Sequence, residues 1–229
     1  MEKNKGRYQQ KVLSPGRAPI AVLVRQTKIG TEENFEYLLV DEPTREAIVI
    51  DSGWGVQPIV ARARGESTIV KFIVATHHHS DHASTLWQLA QLLNAQVVAH
   101  SSSPVAHDVS VSNGEVLRVG KSSIKVLHTP GHTNDSICLF DGEHLFTGDT
   151  LLIGSCGRTG FEEGSPKKMY ESLRLILELP PSTIVYPGHD YGDVPFRTLS
   201  EEKKRNPELS AGTYQEFLRA HSARNLGNE

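Results

Sequence analysis

The chain has 229 residues, of which 38% are hydrophobic, and its formal net charge at neutral pH is −3. It lacks a basic stripe for binding phosphates, which argues against nucleic acid as a partner, and it lacks an apolar run long enough to cross a membrane. Its two cysteines do not make a disulfide framework, and the polar residues 1–10 lack the apolar core of a signal peptide. These features predict a cytoplasmic protein that acts on a small molecule, and they allow a homodimer.

The predicted elements follow a flexible lead-in, residues 1–17, and form a single domain over residues 18–229 with a short helical tail. In the first half, the apolar and β-branched runs predict strands at 19–26, 35–40, 46–51, 69–76 and 96–100. Helical spacing of apolar residues predicts helices at 56–64 and 83–93.

In the second half, strands are expected at 114–119, 122–128, 135–140, 144–148 and 183–187. A helix begins at Ser165-Pro166, since Ser is a preferred N-cap and Pro a preferred first helical residue, and a last helix is expected at 212–221. Periodicity alone therefore supports an α/β or α+β protein.

A dense polar cluster directly follows the strand at 69–76: His77-His78-His79-Ser80-Asp81-His82. Histidine is intermediate in burial and aspartate is rarely buried unpaired. A cluster this dense is therefore expected to have a partner that accepts lone pairs from several side chains. A divalent metal ion is the simplest such partner. Alternation of side chains points His78 away from the others. On this segment alone, a solvated polar loop is the competing interpretation.

Three later turns repeat the pattern of an apolar strand, a glycine and one His or Asp: Gly131-His132, Gly148-Asp149 and Gly188-His189. Proteins that mix helices and strands gather functional side chains on loops at strand ends. These three residues are therefore expected to meet the cluster that follows residue 76.

The order His-x-His-x-Asp-His, Gly-His, Gly-Asp, Gly-His resembles the metallo-β-lactamase superfamily, over about Tyr37 to Pro207. The resemblance implies an α+β fold, a four-layer αββα sandwich. It also implies two metal ions, the first on His77, His79 and His132, and the second on Asp81, His82 and His189. In such a site Asp149 would bridge the two ions.

Two divalent ions a few ångströms apart can hold a water molecule and lower its pKa, so that a metal-bound hydroxide attacks a carbonyl at neutral pH. Zinc is the default metal, and iron or manganese would also suit His/Asp ligands. Asp81 and Asp149 are the expected catalytic carboxylates, and Asp81 would also orient the water. Asp51, at the end of the strand at 46–51, would orient a ligand imidazole, or it is a turn residue that satisfies its own backbone.

Two residues are candidates for contacting the substrate. The Tyr191 hydroxyl, two residues after His189, could donate a hydrogen bond to the substrate and assist catalysis, or the ring could simply pack. Arg158 could bind a substrate carboxylate, or form an internal salt bridge.

The segments 151–161 and 189–192 resemble the branch that holds glyoxalase II-like hydrolases and persulfide dioxygenases. The first function hypothesis is a dinuclear hydrolase of a small ester or thioester, similar to hydroxyacylglutathione hydrolase. The alternative is a persulfide dioxygenase with one iron on His77, His132 and Asp149, which oxidises the sulfur of glutathione persulfide. The sequence departs from this branch at Gly160, where an aspartate is usual.

Overall fold

The computed structural model describes residues 22–226, so the predicted lead-in and residues 19–21 lie outside the described residues. The strands are β1 Val22–Ile29, β2 Asn34–Asp41, β3 Glu46–Ile50, β4 Ile69–Val74, β5 Gln96–His100, β6 Val109–Val111, β7 Val116–Val119, β8 Ser122–His128, β9 Ile137–Phe140, β10 His144–Gly148, β11 Ile184–Pro187 and β12 Arg197–Thr198. The helices are α1 Gln57–Gly65, α2 Ser80–Ala83, α3 Leu86–Leu93, α4 Pro166–Ile176, α5 Leu199–Arg205, α6 Pro207–Ser210 and α7 Tyr214–Leu226.

The strands form two six-stranded sheets with the orders β1-β2-β3-β4-β5-β6 and β12-β11-β10-β9-β8-β7. In the first sheet, β1 to β3 are antiparallel neighbours, and β3 to β6 run parallel. In the second sheet, only β10 and β11 run parallel. Each sheet therefore contains neighbouring parallel strands whose carboxyl ends open at a common edge.

Three apolar clusters define the layers. The central cluster lies between the sheets and includes Tyr37, Ile50, Val126 and Phe146. The other face of the first sheet packs against α1 and α3, through residues such as Ile59 and Leu89 of the second cluster.

The third cluster joins the second sheet to α4, α5, α6 and α7. Its members include Val185 from the sheet and Leu173, Leu209 and Phe217 from the helices. The order helix, sheet, sheet, helix confirms the predicted αββα sandwich. Within residues 22–226, no helix combines the length and the apolarity that crossing a membrane requires.

Most predicted elements are present, with three kinds of difference. The helix predicted at 83–93 is divided into α2 and α3, and Asn94 ends α3 in the left-handed conformation with φ of 52°. The last helix extends from the predicted 221 to Leu226. The short elements β6, β12, α5 and α6 were not predicted, since two to seven residues carry too little periodicity to identify an element.

Candidate metal centre

The candidate residues lie on turns at the carboxyl ends of strands from both sheets. The segment from His77 to His82 follows β4 of the first sheet. His132, Asp149 and His189 follow β8, β10 and β11 of the second sheet. Because the two sheets pack face to face, these turns meet at one edge of the sandwich, as the sequence predicts.

His77, His79 and His132 form the first group. The Nδ1 atom of His79 lies 3.1 Å from Nε2 of His77 and 3.0 Å from Nε2 of His132. All three ligand atoms lie within 4.8 Å of one another, as donors around a single cation do. His77 and His132 are buried, whereas His79 is partly exposed to the cleft.

The second group consists of Asp81, His82 and His189, whose ligand atoms also lie within 4.8 Å of one another. The two imidazole Nε2 atoms are 3.1 Å apart. Oδ2 of Asp81 is 3.2 Å from Nε2 of His82 and 3.4 Å from Nε2 of His189.

The carboxylate of Asp149 lies between the two groups. Its Oδ2 atom is 3.5 Å from Nε2 of both His132 and His189, and its Oδ1 atom is 3.6 Å from Nε2 of His82. Oδ1 is buried and, within the described part of the chain, has no hydrogen-bond partner. Because an anionic oxygen buried without a partner is costly, this atom fits a position next to a cation.

Hydrogen bonds on the far side of the rings fix which imidazole nitrogen faces the centre. His132 Nδ1 lies 2.7 Å from the carbonyl oxygen of Arg158, and His189 Nδ1 lies 2.7 Å from that of Glu32. A carbonyl oxygen can only accept, so each Nδ1 carries the proton and donates it. Each Nε2 therefore faces the centre, as metal ligation requires.

The pKa values differ between the two groups. Burial holds the pKa of His77 well below its usual range and also lowers the pKa of His132, and it lowers the pKa of His79 to about 4. Burial acts in the same direction on His82 and His189. At these two residues, however, neighbouring carboxylates raise the pKa by more than burial lowers it.

The carboxylates of Asp51 and Asp149 raise the pKa of His82 well above its usual range. Hydrogen bonds to Asp149 and Asp81 raise that of His189 to about 9. Burial opposes ionisation of Asp149, but the charges of His82 and His189 hold its pKa well below the usual value. The centre thus combines imidazoles with ionised carboxylates, the donor set of a divalent metal site, and a metal that binds there would displace the protons that the carboxylates favour on His82 and His189.

Asp51 contacts the centre through His82. Its Oδ2 atom is 2.9 Å from Nδ1 of His82, and its Oδ1 atom accepts a 2.7 Å hydrogen bond from the backbone N–H of Thr76. The carboxylate therefore orients one imidazole and also caps the end of β4. Of the two interpretations offered from the sequence, this geometry fits the orientation of an imidazole, because the backbone group that Asp51 binds belongs to Thr76 and not to its own turn. His78 points away from the centre, and its Nδ1 lies 2.8 Å from Oδ1 of Asp135.

Tyr191 and Arg158 line a cleft of about 1100 Å³ that opens from the centre. The ring of Tyr191 stacks on that of His189 at 4.6 Å and is 56% exposed, so its hydroxyl is accessible from the cleft. The guanidinium of Arg158 lies over the ring of Phe161 at 5.2 Å. Phe161 also contacts the rings of His79 and His132 by its edge and forms an apolar wall beside the ligands.

Sequence analysis missed one residue of the centre, Asn34. Its Nδ2 donates a 2.9 Å hydrogen bond to Oδ2 of Asp81, and its Oδ1 accepts one from the indole of Trp54. An Asn at the start of a strand, 47 residues before its partner, carries no local signal for this contact. The fold alone brings the amide to the carboxylate.

Comparison with known proteins finds similar sequences among persulfide dioxygenases and among hydroxyacylglutathione hydrolases. Residues 37–189 match the metallo-beta-lactamase superfamily. The chain is 33% identical over 216 residues to the mitochondrial persulfide dioxygenase ETHE1 of Mus musculus, covering 90% of this chain and 82% of that protein. A probable hydroxyacylglutathione hydrolase of Schizosaccharomyces pombe is 37% identical over 171 residues, covering 71% of this chain and 66% of the hydrolase.

Among solved structures, the crystal structure of ETHE1 from Myxococcus xanthus superposes with a TM-score of 0.81 and 34% sequence identity. The alignment covers 89% of this chain and 91% of that one. Sequence, fold and ligand geometry agree: the chain belongs to the metallo-β-lactamase superfamily and is a metal-dependent enzyme of that fold.

Proposed function

We propose that the protein is an iron-dependent dioxygenase that oxidises the persulfide of a small thiol such as glutathione. One observation carries the proposal: likeness to persulfide dioxygenases extends over nearly the whole chain. About nine-tenths of this chain aligns with ETHE1 from mouse and from Myxococcus xanthus. The alignment with the hydroxyacylglutathione hydrolase leaves a third of the hydrolase unmatched. The alternative hypothesis from the sequence is therefore preferred to the first one.

His77, His132 and Asp149 would hold the iron. Two imidazoles and one carboxylate on one face of the ion, with other positions open, form the site that oxygen-activating non-haem iron enzymes use. His132 and Asp149 are 3.5 Å apart at their ligand atoms, and His77 shares a ligand group with each of them. A ferrous ion held there would supply the activation of dioxygen.

In the proposed reaction, one persulfide RSSH, one dioxygen and one water are converted to one thiol RSH, one sulfite and two protons. The two sulfur atoms together lose four electrons, and dioxygen gains them. The protein itself binds and orients the persulfide. Phe161 and Ile153 offer an apolar wall for its sulfur chain, and the exposed guanidinium of Arg158 can pair with a carboxylate of the thiol. The Tyr191 hydroxyl, which also lines the cleft, can donate a hydrogen bond to the substrate.

A second candidate function is the dinuclear hydrolysis of a thioester or ester. The observation that favours it is the complete second group, Asp81, His82 and His189, on the far side of Asp149. With two ions present, Asp149 would bridge them and Asp81 would orient the attacking water. The same Arg158 and Tyr191 would then bind the acyl-thiol substrate.

Metal content and substrate consumption distinguish the two functions. Protein purified without added metal is analysed for metal and assayed for oxygen uptake with glutathione persulfide and for cleavage of a glutathione thioester. About one iron per chain, with one dioxygen consumed per persulfide, supports the dioxygenase. About two zinc ions per chain, with thioester cleavage and no oxygen uptake, would overturn it in favour of the hydrolase.

Two neighbouring histidines provide a matched pair of variants for the assay. His77→Ala removes a ligand and is expected to abolish turnover. His78→Ala removes a ring of the same size whose Nδ1 faces Asp135 instead, and it is expected to retain turnover. Equal effects of the two substitutions would contradict the ligand assignment.

A further inference from the structure

A second cluster of side chains of the kinds that bind metals lies beside the cleft, which Cys156 also lines. Cys156, on the loop after β10, meets Glu208 of α6 and His221 of α7. Their ligand atoms lie within 4.8 Å of one another, and all three residues are buried. None of the three belongs to the centre described above.

The donor atoms converge on a single nitrogen. Nδ1 of His221 lies 3.6 Å from Sγ of Cys156 and 2.5 Å from Oε1 of Glu208. In a nucleophilic triad, the thiol and the carboxylate face opposite nitrogens of the imidazole, so that one activates and the other orients. Here the sulfur and the oxygen lie beside the same nitrogen, and a cation in place of the proton between Nδ1 and Oε1 would be within reach of all three atoms.

The other side of the imidazole is compatible with metal ligation. Nε2 of His221 lies 2.8 Å from Oγ1 of Thr159, a hydroxyl that can accept a hydrogen bond. Nδ1 donates to Oε1 of Glu208 at 2.5 Å, and a metal that binds would take the place of that proton while Nε2 keeps the other one. The second oxygen of Glu208, Oε2, accepts a 2.7 Å hydrogen bond from the backbone N–H of Cys156, which fixes the orientation of the carboxylate.

We propose that Cys156, Glu208 and His221 form a second cation site, separate from the His/Asp centre, for a borderline divalent metal such as Zn²⁺. One thiolate, one imidazole and one carboxylate are ligands that Zn²⁺ accepts, and a water molecule would complete a tetrahedron. The thiol releases its proton when the metal binds.

The position of the site indicates a stabilising role. It would join α6 and α7 to the loop that carries Gly157 and Arg158. The N–H of Gly157 donates to the carbonyl of Asp149, and the carbonyl of Arg158 accepts from His132. A cation bound by Cys156 would thus hold in place the loop that orients two ligands of the first centre.

Cobalt distinguishes the two sites because only the second contains sulfur. The 229-residue chain is produced in medium supplemented with Co²⁺, so that a buried site is loaded while the chain folds. We expect a near-ultraviolet charge-transfer band from thiolate to cobalt, in addition to the weak visible bands of cobalt on His and Asp. Cobalt X-ray absorption of the same sample should show a sulfur neighbour at about 2.3 Å.

Two cysteine variants form the matched comparison. Cys156→Ser is expected to lose the charge-transfer band and to keep the visible bands of the first centre. Cys138→Ser is expected to keep both, because Cys138 lies among the buried residues of the third cluster, where burial raises the pKa of its thiol to about 12. Cobalt-loaded wild-type protein without the band and without a sulfur neighbour overturns the proposal, and this result requires no variant to fold. A band that survives Cys156→Ser overturns it as well.

Discussion

At the scale of single residues, Asp149 is the carboxylate that lies close to imidazoles of both ligand groups. Its carboxylate lies within 3.6 Å of three imidazoles that come from different turns. It raises the pKa values of His82 and His189, and one of its oxygens has no hydrogen-bond partner among the described residues. Both candidate functions place this residue on the metal.

Asp149→Asn keeps the shape of the side chain and removes its charge. We expect bound metal and turnover to fall by about 100-fold or more, since a neutral amide is a poor ligand for a hard or borderline cation. The fold should persist, because the buried neighbours of Asp149 keep their packing. Metal analysis, turnover and circular dichroism of the same sample test this. Substantial turnover in the variant would contradict the role of Asp149 as a ligand.

Glu36 gives a prediction about pH that does not involve the metal centre. It lies in β2 with 1% exposure, and burial raises its pKa to about 8 from the ordinary value of 4.5. Ser52 opposes this shift and the charge of Asp51 adds to it. Between these two pH values the folded chain holds a proton that the unfolded chain has lost. The contribution of Glu36 to the free energy of unfolding therefore decreases as the pH rises from about 4.5 to 8.

Glu36→Gln removes this titration and keeps a side chain of the same size. At pH 8 the variant should be more stable than the wild type by about 1–3 kcal/mol, because the wild-type chain must take up a proton at Glu36 when it folds and the variant need not. At pH 5 the two proteins should differ much less. Urea unfolding at both pH values measures the difference. An identical pH dependence in both proteins would show that Glu36 is not the titrating group.

At the scale of elements, the turns after the strands place the ligands, and their glycines leave the space that the ligands need. Gly188, between β11 and His189, is the clearest case. A Cβ atom at this position would lie 2.5 Å from Oδ1 of Asp149 and 3.0 Å from Cε1 of His82. A methyl group there would enter the centre itself.

Gly188→Ala is therefore expected to lower metal content and turnover by about 10-fold or more, since displaced ligands bind metal weakly. Gly160→Ala is the matched control, because a Cβ atom there meets nothing within 4 Å. The control should retain both metal and activity. Equal metal content in the two variants would show that the turn after β11 tolerates the added methyl group.

The long strands and the ligand turns can be predicted from the sequence because the residues that define each of them are neighbours in the chain. The run Ile69 to Val74 is apolar over a strand's length, and His77, His79, Asp81 and His82 lie within six residues of one another. The residues that sequence analysis missed or left without a role obtain their partners through tertiary packing. Asn34 meets Asp81 across 47 positions, and His221 meets Cys156 across 65.

Short elements are missed for a related reason. The strand β12 has two residues, Arg197 and Thr198, and exists because β11 provides a neighbouring edge. The helix α6 has four residues, and the side chain of Asn206 accepts hydrogen bonds from the N–H groups of Glu208 and Leu209 at its start. Such elements follow from the surrounding fold, not from their own periodicity.

At the scale of the whole molecule, the candidate centre connects the two sheets. His77 and His79 come from the first sheet, whereas His132, Asp149 and His189 come from the second. The central apolar cluster holds the sheets together below the centre, and at the edge itself the contacts are between imidazoles and carboxylates. A metal ion there would link the two halves of the sandwich as well as perform chemistry.

Removing the metal should therefore lower the stability of the entire domain and not only its activity. A ligand that binds the folded chain alone stabilises it by about 2.7 kcal/mol when its free concentration is 100 times its Kd. We expect the Tm to fall on dialysis against a chelator and to recover when Fe²⁺ or Zn²⁺ is restored. The double variant His132→Ala, Asp149→Ala should show the low Tm with or without metal, since it lacks two ligands supplied by the second sheet. If the wild type kept the same Tm through chelation and reloading, the metal would not link the sheets, and the fold would owe its stability to the three apolar clusters alone.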